Sequence, residues 1–114
     1  MPEKTFSTKQ VIQLTGLSKD TLRFYEKIGV IDHINRDKNG YRQYSQDDID
    51  WLIIVNMMKK IKVPIKEFIG QQASPMIERV NFLRKYQNGI KSQISELQEI
   101  DTFLDNKINY LSNL

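Results

Sequence analysis

Lys19, Thr21, Arg23 and Tyr25 crowd a segment that begins at Ser18, and Tyr41 with Arg42 follows directly on Asn39-Gly40. Side chains of these types suit one kind of chemistry. A guanidinium can bond O6 and N7 of guanine together, while lysine, threonine and tyrosine hold phosphate oxygens. Ser18 to Glu26 reads as a short capped helix with one polar, basic face. Asn39-Gly40 reads as a tight hairpin turn whose return strand carries Tyr41, Arg42 and Tyr44. A helix able to enter a groove, beside a wing able to grip phosphates, points to double-stranded DNA as the ligand.

Composition narrows the alternatives. Seventeen Lys and Arg against 14 Asp and Glu give a formal charge of +3 over 114 residues, too mild to indicate a nucleic-acid partner by itself. The chain has no cysteine, which excludes disulfides, thiolate metal sites and thiol redox sensing. Its one histidine, His33, reads as a loop residue, so no metal site and no cofactor is expected. No Ser-His-Asp or Cys-His set and no phosphate-cradling glycine loop is present, so no catalytic residue is assigned and an enzyme is not expected. Met1-Pro2-Glu3-Lys4 lacks the apolar run of a signal peptide, and no stretch approaches the roughly 20 apolar residues that span a bilayer. A cytoplasmic protein with no membrane partner is the expectation.

These side chains need elements to hold them. Thr5 to Thr15 reads as a first helix, with Ser7 as its N-cap, Val11, Ile12 and Leu14 as its apolar face, and Gly16 closing it. Leu17 tucks inward from the turn, and Ser18 caps a second helix from Lys19 to Ile28 that Gly29 ends. Two short helices joined by a glycine-containing turn form a helix-turn-helix. Strands are expected at about Ile31 to Arg36 and Tyr41 to Tyr44. Ser45 with Asp47 and Asp48 starts a third helix, whose Ile49, Leu52, Ile53, Val55 and Met57 carry it to about Ile61. Pro64 breaks that helix, and Ile65 to Ile69 forms a further short one.

From about Pro75 to Leu111 a single helix carries a heptad pattern. Leu83, Ile90, Leu97, Leu104 and Leu111 recur every seven residues, interleaved with Val80, Gln87, Ile94, Asp101 and Ile108. Such a helix extends on the order of 54 Å at 1.5 Å per residue, longer than the domain before it, and requires a second helix to cover its seam. The expected dimer interface is Val80, Leu83, Ile90, Ile94, Leu97, Leu104, Ile108 and Leu111. Gln87 and Asp101 are costly in that seam and are expected to set register or orientation. In an antiparallel pair Asp101 could meet Lys85 or Lys91. Phe82, Tyr86, Phe103 and Tyr110 lie partly off the seam.

The segment from Thr5 to Gly70 resembles the DNA-binding domain of the MerR family of bacterial transcription regulators. The resemblance rests on Leu14-Thr15-Gly16-Leu17-Ser18, Thr21-Leu22-Arg23-Phe24-Tyr25-Glu26, Gly29, Arg36, Asn39-Gly40-Tyr41-Arg42-Gln43-Tyr44 and Ser45-Gln46-Asp47-Asp48-Ile49, in order, then Lys59-Lys60 before a second wing at Pro64. It implies a mainly α fold: a winged helix-turn-helix DNA-binding domain over residues 5–73, followed by a long antiparallel coiled-coil dimerisation helix over 75–112. It also implies a homodimer on a promoter inverted repeat, set between elements spaced unusually far apart. In that family the activated dimer bends and underwinds the DNA, acting on RNA polymerase indirectly.

Residue by residue, the resemblance gives Arg23 the base contact, with a surface salt bridge to Glu26 or Asp20 as its bland alternative. Lys19 and Thr21 fall to phosphates or base edges. Tyr25 matches a tyrosine that reaches the DNA backbone, with burial as its rival. Phe24 stands where many relatives carry tyrosine, removing a hydroxyl. Tyr41 and Arg42 match a phosphate-gripping pair, Arg36 adds a contact, and Tyr44 closes the core. Lys59, Lys60 and Lys62 fall where the family places further backbone contacts.

The trigger is open. The chain is similar to the short subgroup tied to aldehyde and thiol stress, but Met57 stands where that subgroup has cysteine. A constitutive DNA-bender, a sensor of an unknown small apolar effector near Trp51, Phe68, Phe82 and Tyr86, and a shortened form of a longer protein all remain. The rival functions are an architectural or excision-type DNA-bending protein and a protein-interaction adaptor.

Overall fold

Three serines start three helices in the computed structural model, which describes residues 4–114. Met1, Pro2 and Glu3, on which the reading of a leaderless start fell, lie outside the described residues. Helix α1 (Thr8–Thr15) follows Ser7, α2 (Lys19–Ile28) follows Ser18, and α3 (Gln46–Lys59) follows Ser45. Each serine hydroxyl accepts an N–H of the first turn, from Gln10, Thr21 and Asp48 respectively. Gln10 and Asp48 return the contact to the cap backbone, completing two capping boxes. Gly16 and Gly29 end α1 and α2 in the left-handed conformation, at φ 75° and 86°.

Helix α1 begins three residues later than the sequence suggests. Phe6 is held extended by paired backbone bonds with Tyr44, 2.8 and 2.9 Å long, which delay the first helical residue to Thr8. In so short a helix only Val11 and Thr15, four apart, face inward. Leu14, expected in the apolar face, is 55% exposed. Helix α3 likewise turns Ile49, Trp51, Leu52 and Val55 to the core and leaves Ile53 and Met57 exposed. It stops at Lys59, short of the expected Ile61, and Lys62 adopts a left-handed φ of 65°.

The core gathers Val11, Leu22, Tyr25, Val30, Ile31, Ile34, Tyr44, Trp51, Leu52, Val55 and Phe68. Trp51 is fully buried, meets Phe68 edge-on at 6.2 Å, and donates its indole N–H to the Val30 carbonyl at 2.8 Å. Its partner satisfies the polar atom, so the large apolar ring is buried without leaving a donor unpaired. Ile31 and Ile34, expected in a strand, are core residues of an extended approach. The strands themselves are β1 (Asn35–Arg36) and β2 (Arg42–Gln43), antiparallel with Arg36 opposite Arg42.

A 3₁₀ helix (Ile65–Phe68) follows Pro64 where a short helix was expected. Behind it, buried Gln72 accepts from the Asp32 N–H at 2.7 Å and donates to Asp48 at 2.8 Å. The chain divides into two compact units, one ending at Pro75 and one from Met76 to Leu114. The second is a single helix, α4 (Met76–Ser112), of 37 residues with no buried side chain. Among the described residues no helix is long and apolar enough to cross a membrane.

Candidate nucleic-acid interface

The wing turn is organised by Asp37, which the sequence reading did not single out. Its carboxylate accepts the N–H groups of Asn39 at 2.9 Å and Tyr41 at 3.0 Å, and its carbonyl accepts Gly40 N–H at 3.0 Å. Only Gly40 has positive φ, at 83°, so Asn39 is not the left-handed residue that a two-residue Asn-Gly turn requires. The turn is instead a wider one closed on Gly40, with Asp37 N–H donating to the Tyr41 carbonyl at 2.9 Å.

This turn fixes the strand that returns from it. Arg42 points from β2 toward α2 and donates from Nε to Glu26 Oε2 at 2.7 Å; both side chains are about four-fifths buried. Arg36 lies across the same carboxylate at 4.0 Å and donates to the Gly40 carbonyl at 3.0 Å. The expectation for Arg42 was a free phosphate grip; the structure makes it a strut between wing and helix, with one edge of the guanidinium engaged. Glu26 is therefore taken by the wing arginines. Among the described residues Arg23 makes no ion pair, which removes the salt bridge that was its rival role.

Between α1, α2 and the wing lies a cleft of about 420 Å³ lined by Thr8, Lys9, Ile12, Lys19, Arg23, Arg36, Gly40, Tyr41 and Arg42. Five of these carry positive charge, and among the described residues no carboxylate lines it. The exposed guanidinium of Arg23 and the 71% exposed ring of Tyr41 both border it. Like-charged groups gathered this closely repel one another, and an anion running through the cleft relieves that repulsion. Lys19, Arg23, Arg36, Tyr41 and Arg42 are the residues expected from the sequence; Lys9 and Thr8 are additional to them. Their signal was Ser7: a cap there puts both residues in the first turn of α1, at a helix N-terminus that favours anions.

Other expected residues stand elsewhere. Tyr25 is 2% exposed with its hydroxyl enclosed, so the expected contact with the DNA backbone is corrected to a core position: at i+3 from Leu22 it shares the buried face of α2. Thr21 borders the N-terminus of α2, where its Oγ1 accepts the Ser18 hydroxyl at 2.9 Å and its own O–H is left to donate. Lys59, Lys60 and Lys62 are exposed at the end of α3 and do not line the cleft; Lys59 Nζ lies 5.9 Å from the Tyr25 ring centre. Phe24 is half-exposed beside Tyr25. Tyr44 is enclosed as expected, and burial raises its phenol above the ordinary value of 10.0, opposed by the neighbouring Thr8 side chain and by Arg42.

On α4 the expected interface residues Val80, Ile94, Leu97, Leu104, Ile108 and Leu111 are exposed in the single chain, from Val80 at 37% to Leu97 at 64%, while Leu83 and Ile90 are partly covered. His33 borders a small polar cleft with Asp32, Asp47, Asp48 and Gln72. Among the described residues no group of three or more metal-ligating side chains is arranged to hold an ion.

A family model described as the MerR family regulatory protein matches residues 7–44, the span of α1, α2 and the wing. The HTH-type transcriptional regulator YfmP of Bacillus subtilis is 31% identical over 111 residues, covering 90% of this chain and 74% of the relative. The chain belongs to the MerR family. An uncharacterized HTH-type transcriptional regulator of Haemophilus influenzae is 27% identical over 112 residues, 93% of this MerR-family chain and 83% of that protein. The crystal structure of HiNmlR, a MerR family regulator lacking the sensor domain, bound to promoter DNA, superposes with a TM-score of 0.71 at 25% identity. It covers 96% of this chain and 92% of that one. In several other curated relatives the matched region covers less than half of the relative's length. Its mainly helical fold, with a two-stranded wing and a long terminal helix, is the MerR fold.

Proposed function

We propose that this MerR-family transcription regulator binds a promoter inverted repeat as a homodimer and acts by bending and underwinding the DNA. The observation that carries the reading is the cationic cleft between α2 and the wing, where Lys19, Arg23, Arg36 and Arg42 converge with Lys9. Arg23 reads a base edge in the major groove. Lys19, Thr21, Arg36, Tyr41 and Arg42 hold phosphates on the flanks. Lys59, Lys60 and Lys62, outside the cleft, meet the backbone farther along the same face of the duplex.

Phosphate contacts place the protein and base contacts specify the site, so binding splits into a salt-dependent part and a sequence-dependent part. The seam residues of α4 join two such units, and two-fold symmetry of the protein demands an inverted repeat in the DNA. RNA polymerase responds to the altered geometry of the promoter rather than to a contact with this chain. The location is the bacterial cytoplasm, the role is regulation rather than catalysis, and a small effector remains a candidate partner.

The deciding experiment titrates the full chain against a duplex carrying the promoter upstream of its own gene, across a salt series. Binding should favour that duplex over scrambled sequence, and the steepness of its salt dependence reports the number of phosphates engaged. End-labelled duplexes should also show their ends drawing closer on binding. No binding even at low ionic strength would falsify the regulator reading; binding with no end-to-end change would remove bending from it.

A further inference from the structure

We infer that two copies of α4 pair in one antiparallel register, in which Ile94 of each copy packs on Leu97 of the other and Arg84 of each meets Asp105 of the other. The inference rests on the homodimer reading above and settles what that reading leaves open: which residues face which. Helix α4 buries no side chain within its own chain, and Ile94, Leu97, Leu104, Ile108 and Leu111 are 50–64% exposed. A helix of 37 residues, about 55 Å long, with such a stripe needs a covering surface of matching length, and a second α4 supplies one.

The heptad fixes how two such helices mesh. In an antiparallel pair, the series beginning at Val80 faces the series beginning at Leu83 on the other copy. One alignment gives every seam residue from Val80 to Leu111 a counterpart: Val80 on Leu111, Leu83 on Ile108, Gln87 on Leu104, Ile90 on Asp101, and Ile94 on Leu97. Sliding by one heptad one way leaves Val80 and Leu83 without seam partners in both copies; sliding the other way leaves Leu111 without one and moves Ile108 onto Met76 at the helix start.

Flanking charges disfavour one of the two slid registers. Arg84, Lys91, Gln98 and Asp105 occupy one edge of the seam, and in an antiparallel pair this edge meets its own copy. The full-overlap register sets Arg84 against Asp105 and Lys91 against Gln98, with no like charges together. Sliding one way puts Lys91 on Lys91; sliding the other way moves Asp105 from Arg84 onto Lys91, so that register is opposed by its uncovered Val80 and Leu83 rather than by charge. A parallel pair would bring Asp101 against Asp101 inside the seam, so that residue acts against the wrong orientation. Arg84 and Asp105 are exposed, and among the described residues neither has an ion pair within the chain.

The absence of native cysteine makes the test clean. The full-length double variant Arg84→Cys/Asp105→Cys should link into a covalent dimer under mild oxidation. The two positions are about 31 Å apart along one helix, too far for a bridge within a chain. Lys91→Cys/Asp105→Cys reports the slid register, and Asp101→Cys alone reports a parallel pair. Both should link poorly. In sedimentation, Arg84→Asp or Asp105→Arg should raise the dimer dissociation constant about two- to thirtyfold, and the combined swap should restore it. A dimer that links at 91 with 105 or at 101, or at none of these pairs, or that the combined swap fails to restore, overturns the register alone. A monomeric wild-type chain at micromolar concentration overturns the homodimer reading beneath it.

Discussion

Arg42 Nε lies 2.7 Å from Glu26 Oε2, so the wing is tied to the second helix by a largely enclosed, charge-assisted hydrogen bond. Helix and wing are thereby set at a fixed spacing before DNA arrives, and less ordering is left to be done on binding. Glu26→Gln should cost about 0.5–1.5 kcal/mol of unfolding stability. In a double-mutant cycle with Arg42→Met, the two losses should be clearly less than additive. Additive losses in urea unfolding would show that the pair does not act as a strut. Arg42→Ala accordingly should weaken binding to all sequences and also lower the melting temperature.

Arg23 should behave in the opposite way. It is exposed and makes no ion pair among the described residues, so Arg23→Ala should leave stability within about 0.5 kcal/mol of the parent. It should weaken binding to the cognate duplex by about 1–3 kcal/mol and relax preference at one base pair per half-site. Fluorescence anisotropy with single-base variants of the duplex measures both. Equal losses on cognate and scrambled duplexes would place Arg23 on phosphate instead.

Asp37→Ala removes the acceptor of two backbone N–H groups at once. The wing turn should loosen, with faster hydrogen exchange at Asn39 and Tyr41 and unchanged exchange in α3. Binding to every DNA sequence should weaken, because Tyr41 and Arg42 lose their placement. Unchanged exchange at both amides would mean the turn holds its shape without the carboxylate.

Alkaline pH should destabilise the chain through Tyr44. Burial raises its phenol above the unfolded value of 10.0, so the folded state favours the protonated form. That contribution is complete below the unfolded value and is lost as pH rises through the folded one. Urea unfolding between pH 9 and pH 12 (roughly the span of tyrosine ionisation) should show a decline that Tyr44→Phe makes shallower. An identical decline in the variant would assign it to other groups.

Gln72→Glu should be more damaging than Gln72→Ala. The amide donates to both Asp48, at 2.8 Å, and Asp47, at 3.3 Å, and a third carboxylate there would replace attraction by repulsion. A loss of about 1–3 kcal/mol is expected for the alanine and a larger one for the glutamate at neutral pH, shrinking as the solution is acidified. Thermal unfolding at pH 7 and pH 4 (on the order of the carboxylate range) separates the two.

Local signals in the sequence were legible where the physics is local. Ser7, Ser18 and Ser45 cap three helices, and Gly16 and Gly29 close two, because each acts on backbone groups within four residues of itself. The heptads of α4 were legible for the same reason. Leu14, Ile53 and Met57 were misjudged because helical spacing says which residues share a face, while tertiary packing decides which face turns inward. Tyr25 carried two readings that spacing could not separate, and only the assembled core chose burial. Arg42 meeting Glu26, and Gln72 meeting Asp32, join residues 16 and 40 positions apart, and no pattern in the chain announces such pairings. Asp37 was within reach: an aspartate at the head of a glycine turn is a known acceptor for the backbone beyond it.

Gln72 carries one more consequence. Its bond to Asp32 closes a ring of chain 40 residues long that contains the whole wing, all of α3 and the 3₁₀ helix, and its bond to Asp48 ties that ring across its middle. A secreted domain of this size would often staple such a ring with a disulfide. Here the staple is an amide between a backbone N–H and a carboxylate, so it survives any change in cellular redox potential and asks for no oxidising step during folding.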